Sequence, residues 1–132
     1  MLEGGCHCGA IRYRVEGEPV HAALCRCTDC RRHSGAPMVG WTLFPNDRFA
    51  ILKGRAKVYA SSEHGRRHFC PDCGTGLFYT SDVVFPGQTD VQAATLDDPD
   101  ALPMQAQIQV ADRISWIKDL AGLPEFERYP AG

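Results

Sequence analysis

The sequence predicts a mainly β fold, with antiparallel sheets clipped by cysteine clusters and only short helical turns. Three observations carry that expectation. Short stretches alternate apolar and polar residues with a period of two, as half-buried strands do. Thirteen glycines and nine prolines in 132 residues impose frequent turns and short elements. Seven cysteines fall into three tight clusters, each beside a predicted strand. The length suits one domain spanning residues 1–132, with enough chain to bury a core.

Gly5-Cys6-His7-Cys8-Gly9 opens the chain, with glycines that let the backbone pass close to a metal. Ile11, Tyr13 and Val15 then alternate with Arg12, Arg14 and Glu16. Gly17-Glu18-Pro19 turns the chain into a strand from Val20 to Leu24 that delivers it to Cys25. After Cys30 a helical turn runs through Arg31, Arg32 and His33, with Thr28 as its N-cap and Ser34-Gly35-Ala36-Pro37 as its stop. Met38 to Phe44 reads as a strand, and Pro45-Asn46-Asp47 as a turn. Arg48 to Leu52 and Ala56 to Ser61 read as a hairpin around Lys53-Gly54-Arg55. Arg66 to Phe69 feeds Cys70-Pro71-Asp72-Cys73-Gly74, and Leu77 to Thr80 leads out of it. Ser81 to Thr89 is loop or helical turn, and Val91 to Leu96 and Gln105 to Val110 are further strands. A short helix from Arg113 to Asp119 is followed by coil through Leu123 and Phe126 packed on the body, with Trp116 as the anchor.

Within Cys25-Arg26-Cys27-Thr28-Asp29-Cys30, stereochemistry favours a chelate. Side chains two apart on extended chain point the same way, which pairs Cys25 with Cys27. Side chains three apart on a helical turn share a face, which pairs Cys27 with Cys30. Three sulfurs are one short of a tetrahedral zinc set, and an open position separates a working zinc site from a structural one. Cys70-Pro71-Asp72-Cys73-Gly74 resembles a zinc knuckle that needs a second pair, and Cys6 with Cys8 is the free pair. Two alternatives stand beside this partition. A histidine (His33, or His7, His21, His64 or His68) would complete the trio as a second structural site. The Cys-x-x-Cys units would otherwise be redox dithiols, which leaves the neighbouring cysteines without a role.

Bulk properties exclude several classes. A formal charge of −2 gives no basic field for nucleic acid. No run reaches membrane-spanning length, and Met1-Leu2-Glu3-Gly4-Gly5 has neither a basic nor an apolar leader region, so a cytoplasmic location is expected. Seven cysteines in a reducing compartment favour metal ligation over disulfides.

The ordered motifs Gly5-Cys6-His7-Cys8-Gly9-Ala10-Ile11-Arg12-Tyr13, Cys25 to Pro37, Phe69 to Gly74, Thr95-Leu96-Asp97-Asp98-Pro99 and Trp116 resemble the glutathione-dependent formaldehyde-activating family, of the Gfa-like, centromere protein V type. The resemblance runs from Gly5 to about Phe126. It implies a β-tent fold with two zinc ions: a structural one on Cys6, Cys8, Cys70 and Cys73, and a catalytic one on Cys25, Cys27 and Cys30. It further implies a carbon–sulfur lyase that joins glutathione, as co-substrate, to formaldehyde as S-(hydroxymethyl)glutathione. The expected partners are thus a small thiol and an aldehyde, with no nucleic acid or membrane. Arg26, Arg31, Arg32 and His33 flank the trio and are candidates to bind the glutathione carboxylates or move a proton. Ser34 and Gly35 are candidates for the pocket wall, Trp41 or Phe44 for its cover, and Asp97 and Asp98 for a turn cap. This chain is shorter than the proteins for which the family is named. A non-catalytic, zinc-stabilised β-tent binding module is the alternative. Methionine sulfoxide reductase B, a related fold, needs a redox cysteine in its later half, and no cysteine follows Cys73.

Overall fold

Alternation along the strands is expressed on two sheets of unequal size in the computed structural model, which describes residues 1–130. The smaller sheet has three strands in the order β1 (Leu2–Gly5), β2 (Arg12–Val15) and β5 (Phe49–Lys53). The larger has seven, in the order β10 (Ala106–Ile108), β3 (His21–Cys25), β4 (Val39–Pro45), β9 (Gln88–Gln92), β8 (Gly76–Thr80), β7 (Arg66–Phe69) and β6 (Lys57–Ala60). One α-helix, α1 (Thr28–Ser34), and five short 3-10 stretches complete the described residues. Every pairing is antiparallel except that of β10 with β3.

Register divides the large sheet into two chemical faces. Ala22, Thr42, Val91, Phe78, His68 and Val58 form one row across six strands. The next row is His21, Leu43, Asp90, Tyr79, Arg67 and Tyr59. Neighbouring residues on a strand point to opposite sides, so the two rows face apart. The first closes on the small sheet. Phe78 meets Tyr13 edge-on at 5.3 Å and Phe49 at 5.0 Å, and Ile11, Val15, Phe44 and Val91 are fully buried around them. Each such side chain contributes roughly 1.5–3 kcal/mol by leaving water. The second face carries a separate apolar cluster of Cys25, Cys30, Val39 and Trp41, with Tyr79 against it.

Thr95 to Pro99 acts as a clasp on the small sheet. The Thr95 hydroxyl donates to the Gln92 carbonyl at 2.7 Å and pairs with the Tyr13 hydroxyl at 2.7 Å. Leu96 is buried and bridges Gly4, and the Asp97 carboxylate accepts from both terminal guanidinium nitrogens of Arg12. Asp98, not Asp97, caps the turn, accepting from the Asp100 N–H at 3.2 Å.

Several elements differ from the sequence expectation. β5 pairs with β2 and β6 with β7, so Lys53-Gly54-Arg55 is a crossing between sheets and not a hairpin turn. Gly54 makes that crossing at φ +81°, where an added Cβ would lie 2.1 Å from the Ala10 carbonyl oxygen. β1 went unread because Gly4-Gly5 carries no strand signal. β9 begins at Gln88, and Ala93–Thr95 is a 3-10 turn that sets up the clasp. The tail from Ser115 to Gly122 is 3-10, and Ile117 anchors it; Trp116, Leu123 and Phe126 are each more than half exposed. Among the described residues no helix is long and apolar enough to cross a membrane.

Phe44→Ala is expected to cost about 3–5 kcal/mol in a denaturant titration, because it opens the centre of the inter-sheet core. Gly4→Ala places a Cβ 2.4 Å from the Tyr13 hydroxyl and 2.5 Å from the Thr95 carbonyl oxygen. A loss of about 1–3 kcal/mol is expected there, and an unchanged midpoint would show that the clasp yields freely.

Candidate metal centres and their cleft

Two cysteine groups assemble, each with its sulfurs within 4.8 Å of one another: Cys6, Cys8, Cys70 and Cys73, and Cys25, Cys27 and Cys30. The partition into quartet and trio is the one expected from spacing. The quartet joins two knuckles. Cys6 and Cys8 follow β1 of the small sheet, and Cys70 and Cys73 bridge β7 and β8 of the large one. Each knuckle closes on a glycine in the left-handed region, Gly9 at φ +80° and Gly74 at φ +82°. The Ile11 N–H donates to the Cys6 sulfur at 3.2 Å. Thr75 ties the knuckles together, its hydroxyl accepting from the His7 N–H at 3.0 Å and lying 3.2 Å from the Cys73 sulfur. Hydrogen bonding from Thr75 holds the Cys73 thiol down at about 5. This set could hold a tetrahedral ion, which would clip together the two sheets from which the knuckles come.

The trio sits on the other face of the large sheet. Cys25 ends β3, and Cys27 and Cys30 lie at the start of α1. The N-cap of α1 is Cys27 itself and not Thr28: its sulfur accepts from the Cys30 N–H at 3.2 Å. The turn that caps the helix is therefore the turn that brings two sulfurs together. Among the described residues no histidine nitrogen joins the set. His33 stacks instead on Tyr59, with ring centroids 6.1 Å apart.

Arg67 is the residue that sequence reading missed. It is 5% exposed, and both terminal guanidinium nitrogens lie 3.6 Å from the Cys30 sulfur. Its Nε donates to the Ser61 hydroxyl at 3.2 Å, and its Cζ stands 5.1 Å above the Tyr79 ring. Hydrogen bonds from Cys25 and Cys27, together with the Arg67 charge, hold the Cys30 thiol down at about 5. Cys25, hydrogen-bonded to Cys30 and buried, is pushed up in return. Thirty-seven residues separate Arg67 from Cys30, so only strand register could reveal the contact.

The three sulfurs open into a cleft of about 420 Å³ walled by Trp41, Tyr79, Phe85 and Arg67. Phe44 takes no part in it, being fully buried in the inter-sheet core. Arg26 is 8% exposed and turned away, its Nη2 donating to the Gln107 side chain of the segment beside β3. Arg32 and His33 line an adjoining cavity of about 400 Å³ with Tyr59 and Ser61. The Ser34 hydroxyl donates to the Cys30 carbonyl at 2.7 Å, and Gly35 closes α1 at φ +69°. Both belong to the helix stop. Arg31 lies on α1, half-buried, and is not part of the cleft wall.

All-sulfur donor sets of this kind fit a soft or borderline metal, not calcium or magnesium. Chelator treatment is expected to lower the thermal midpoint, and Cys70→Ser to lower it far more than Cys27→Ser, because only the quartet joins the sheets. Elemental analysis of each purified variant should show the loss of about one ion per site removed. Equal thermal losses for the two variants would assign the trio a structural load as well.

Comparison with known proteins agrees with this geometry. Residues 1–112 match the family described as glutathione-dependent formaldehyde-activating enzyme. A protein of Halomonas elongata named "Putative glutathione-dependent formaldehyde-activating enzyme" is 27% identical over 127 residues, covering 89% of this chain and 80% of that protein. A Schizosaccharomyces pombe protein described as an uncharacterized lyase is 31% identical over 77 residues, 58% of this chain and 56% of its own length. The crystal structure of a Rhodobacter sphaeroides protein shares the fold, with a TM-score of 0.62 at 22% identity, covering 80% of this chain and 99% of that one. With a mainly β fold of two sheets, cysteine groups that could hold metal, and a family match over residues 1–112, this chain belongs to the glutathione-dependent formaldehyde-activating enzyme family.

Proposed function

We propose that this chain is a zinc-dependent carbon–sulfur lyase that joins a small thiol to an aldehyde at Cys25, Cys27 and Cys30. The observation that carries this reading is a three-sulfur group lining an open cleft, with no histidine drawn into the set among the described residues. Zinc on these three thiolates would lower the pKa of a substrate thiol and keep its sulfur nucleophilic at neutral pH. Zinc on the quartet would be structural. Glutathione and formaldehyde are the pair that the family's description names, and a reducing compartment such as the cytoplasm keeps all seven thiols available.

The chain's own residues support the step in three ways. Cys25, Cys27 and Cys30 present their sulfurs on one side of the cleft. Arg67 donates to Cys30 and draws charge from that sulfur, which offsets the negative charge that three thiolates bring to a divalent ion. Trp41 and Tyr79 wall the cleft with aromatic surface and hold two small reactants together, where proximity alone supplies several kcal/mol. In the reaction the thiol sulfur forms the new bond to the carbonyl carbon, the carbonyl π pair moves to oxygen, and a proton from solvent completes the hydroxymethyl product.

Adduct formation followed by NMR exchange should speed up by at least about tenfold with zinc-loaded protein, with no change in the equilibrium position. Cys27→Ser should abolish the acceleration while the quartet keeps the fold. Equal rates with both proteins would overturn catalysis and leave a zinc-stabilised binding module.

A further inference from the structure

Addition of a thiol to an aldehyde must deliver a proton to the new alkoxide, and the cleft holds one buried acid placed to carry it. Three carboxylates line the cleft, Asp29, Asp90 and Asp112. Asp29 and Asp112 are exposed, whereas Asp90 is 5% exposed. Arg67 has its charge committed to the Cys30 sulfur and keeps its protons at any working pH. Register sets Asp90 on the cleft face of β9, directly opposite Tyr79 of the aromatic wall.

The partner of Asp90 is His21 of β3, with Leu43 of β4 between them in the register row. The two side chains meet across that strand, His21 Nε2 lying 3.3 Å from Asp90 Oδ1. Among the described residues neither atom has a further partner, so each is committed to the other. The contact raises the His21 pKa and burial raises that of Asp90, and both shifts favour a pair that retains a proton. The pair also has two different ends. The Asp90 side chain is 7% exposed and lines the cleft, while that of His21 is 30% exposed and stands outside the lining. The His21 ring packs edge-on against Phe85, a wall of the cleft, at 5.7 Å. One end opens on the three sulfurs and the other on water, which is what a proton carrier needs and a sealed structural pair lacks.

We propose that Asp90 is a catalytic acid–base residue of the thiol–aldehyde step and that His21 is the positioning residue that connects it to solvent. This rests on the thiol–aldehyde reading above and names the route of the proton. As the carbon–sulfur bond forms, the carbonyl π pair becomes a lone pair on oxygen, and Asp90 gives that oxygen its proton. His21 reprotonates Asp90 and takes a proton from water in turn. The thiol's own proton leaves to solvent, so one proton enters, one departs and the protein ends unchanged. Release of the aldehyde runs the same path backwards.

The exchange rate of glutathione and formaldehyde with their adduct on zinc-loaded protein, followed by NMR, tests it. Asp90→Asn should lose about tenfold or more of the catalysed rate, while glutathione binding by calorimetry changes by less than about twofold. His21→Gln should lose rate as well, and regain part of it as the concentration of MES, a buffer with little affinity for metal, is raised. A purely structural His21 would give no such recovery. The wild-type rate should not depend on MES concentration, a result that needs no variant to fold. A wild-type rate that climbs with buffer would overturn the relay and leave the thiol–aldehyde reading standing. So would an Asp90→Asn protein that keeps its full rate, or one that loses binding and rate together. Absence of any acceleration by the wild type would overturn both.

Discussion

The large sheet has to satisfy two kinds of chemistry at once, and the strict alternation of its side chains is what allows it. One face is sealed against the small sheet by Phe44, Phe78, Val91 and their partners Tyr13 and Phe49. The other carries Cys25, Trp41, Tyr79, Arg67 and Asp90. A one-residue slip in any central strand would push a charged or metal-binding group into the core and an aromatic into the cleft. The core therefore enforces the register of the site, although the two share no side chains.

The two cysteine groups differ in what they hold together. The quartet draws on both sheets and closes long loops, so an ion there would stabilise the arrangement that seals the core. The trio draws on one strand end and one helical turn, six residues of chain in all, and an ion there constrains little beyond α1. Reactivity can reside at the trio without putting the fold at risk.

Arg67 and Asp90 give the cleft its electrostatic character. Both are charged side chains buried to about the same degree, at 5% exposure each, on either side of Tyr79 in one row. Arg67 finds its counter-charge in the Cys30 sulfur. Asp90 faces His21 Nε2 at 3.3 Å, a contact that raises the His21 pKa. Buried charges of this kind are costly to keep unless something compensates them, and each of these two has its partner on another strand or helix of the chain.

Local signals in the sequence were sufficient for the mainly β class, for most of the strands, and for the grouping of seven cysteines into one trio and two pairs, the pairs being joined into a quartet only by elimination. Each of these depends on spacing along a few residues: alternation at period two, a Cys-x-Cys on extended chain, a Cys-x-x-Cys on a turn. The pairing of β5 and β6 with different sheets, the clasp of Thr95 and Asp97 on Tyr13 and Arg12, and the parallel β10 were decided only by tertiary structure. So were the residues that set the cleft's charge. Arg26 and Arg31 sit beside the trio in sequence and yet do not line its cleft, while Arg67 and Asp90 come from distant strands. A side chain's neighbours across a sheet are fixed by register between strands, and register is set by the packing of a whole face and not by the few residues on either side.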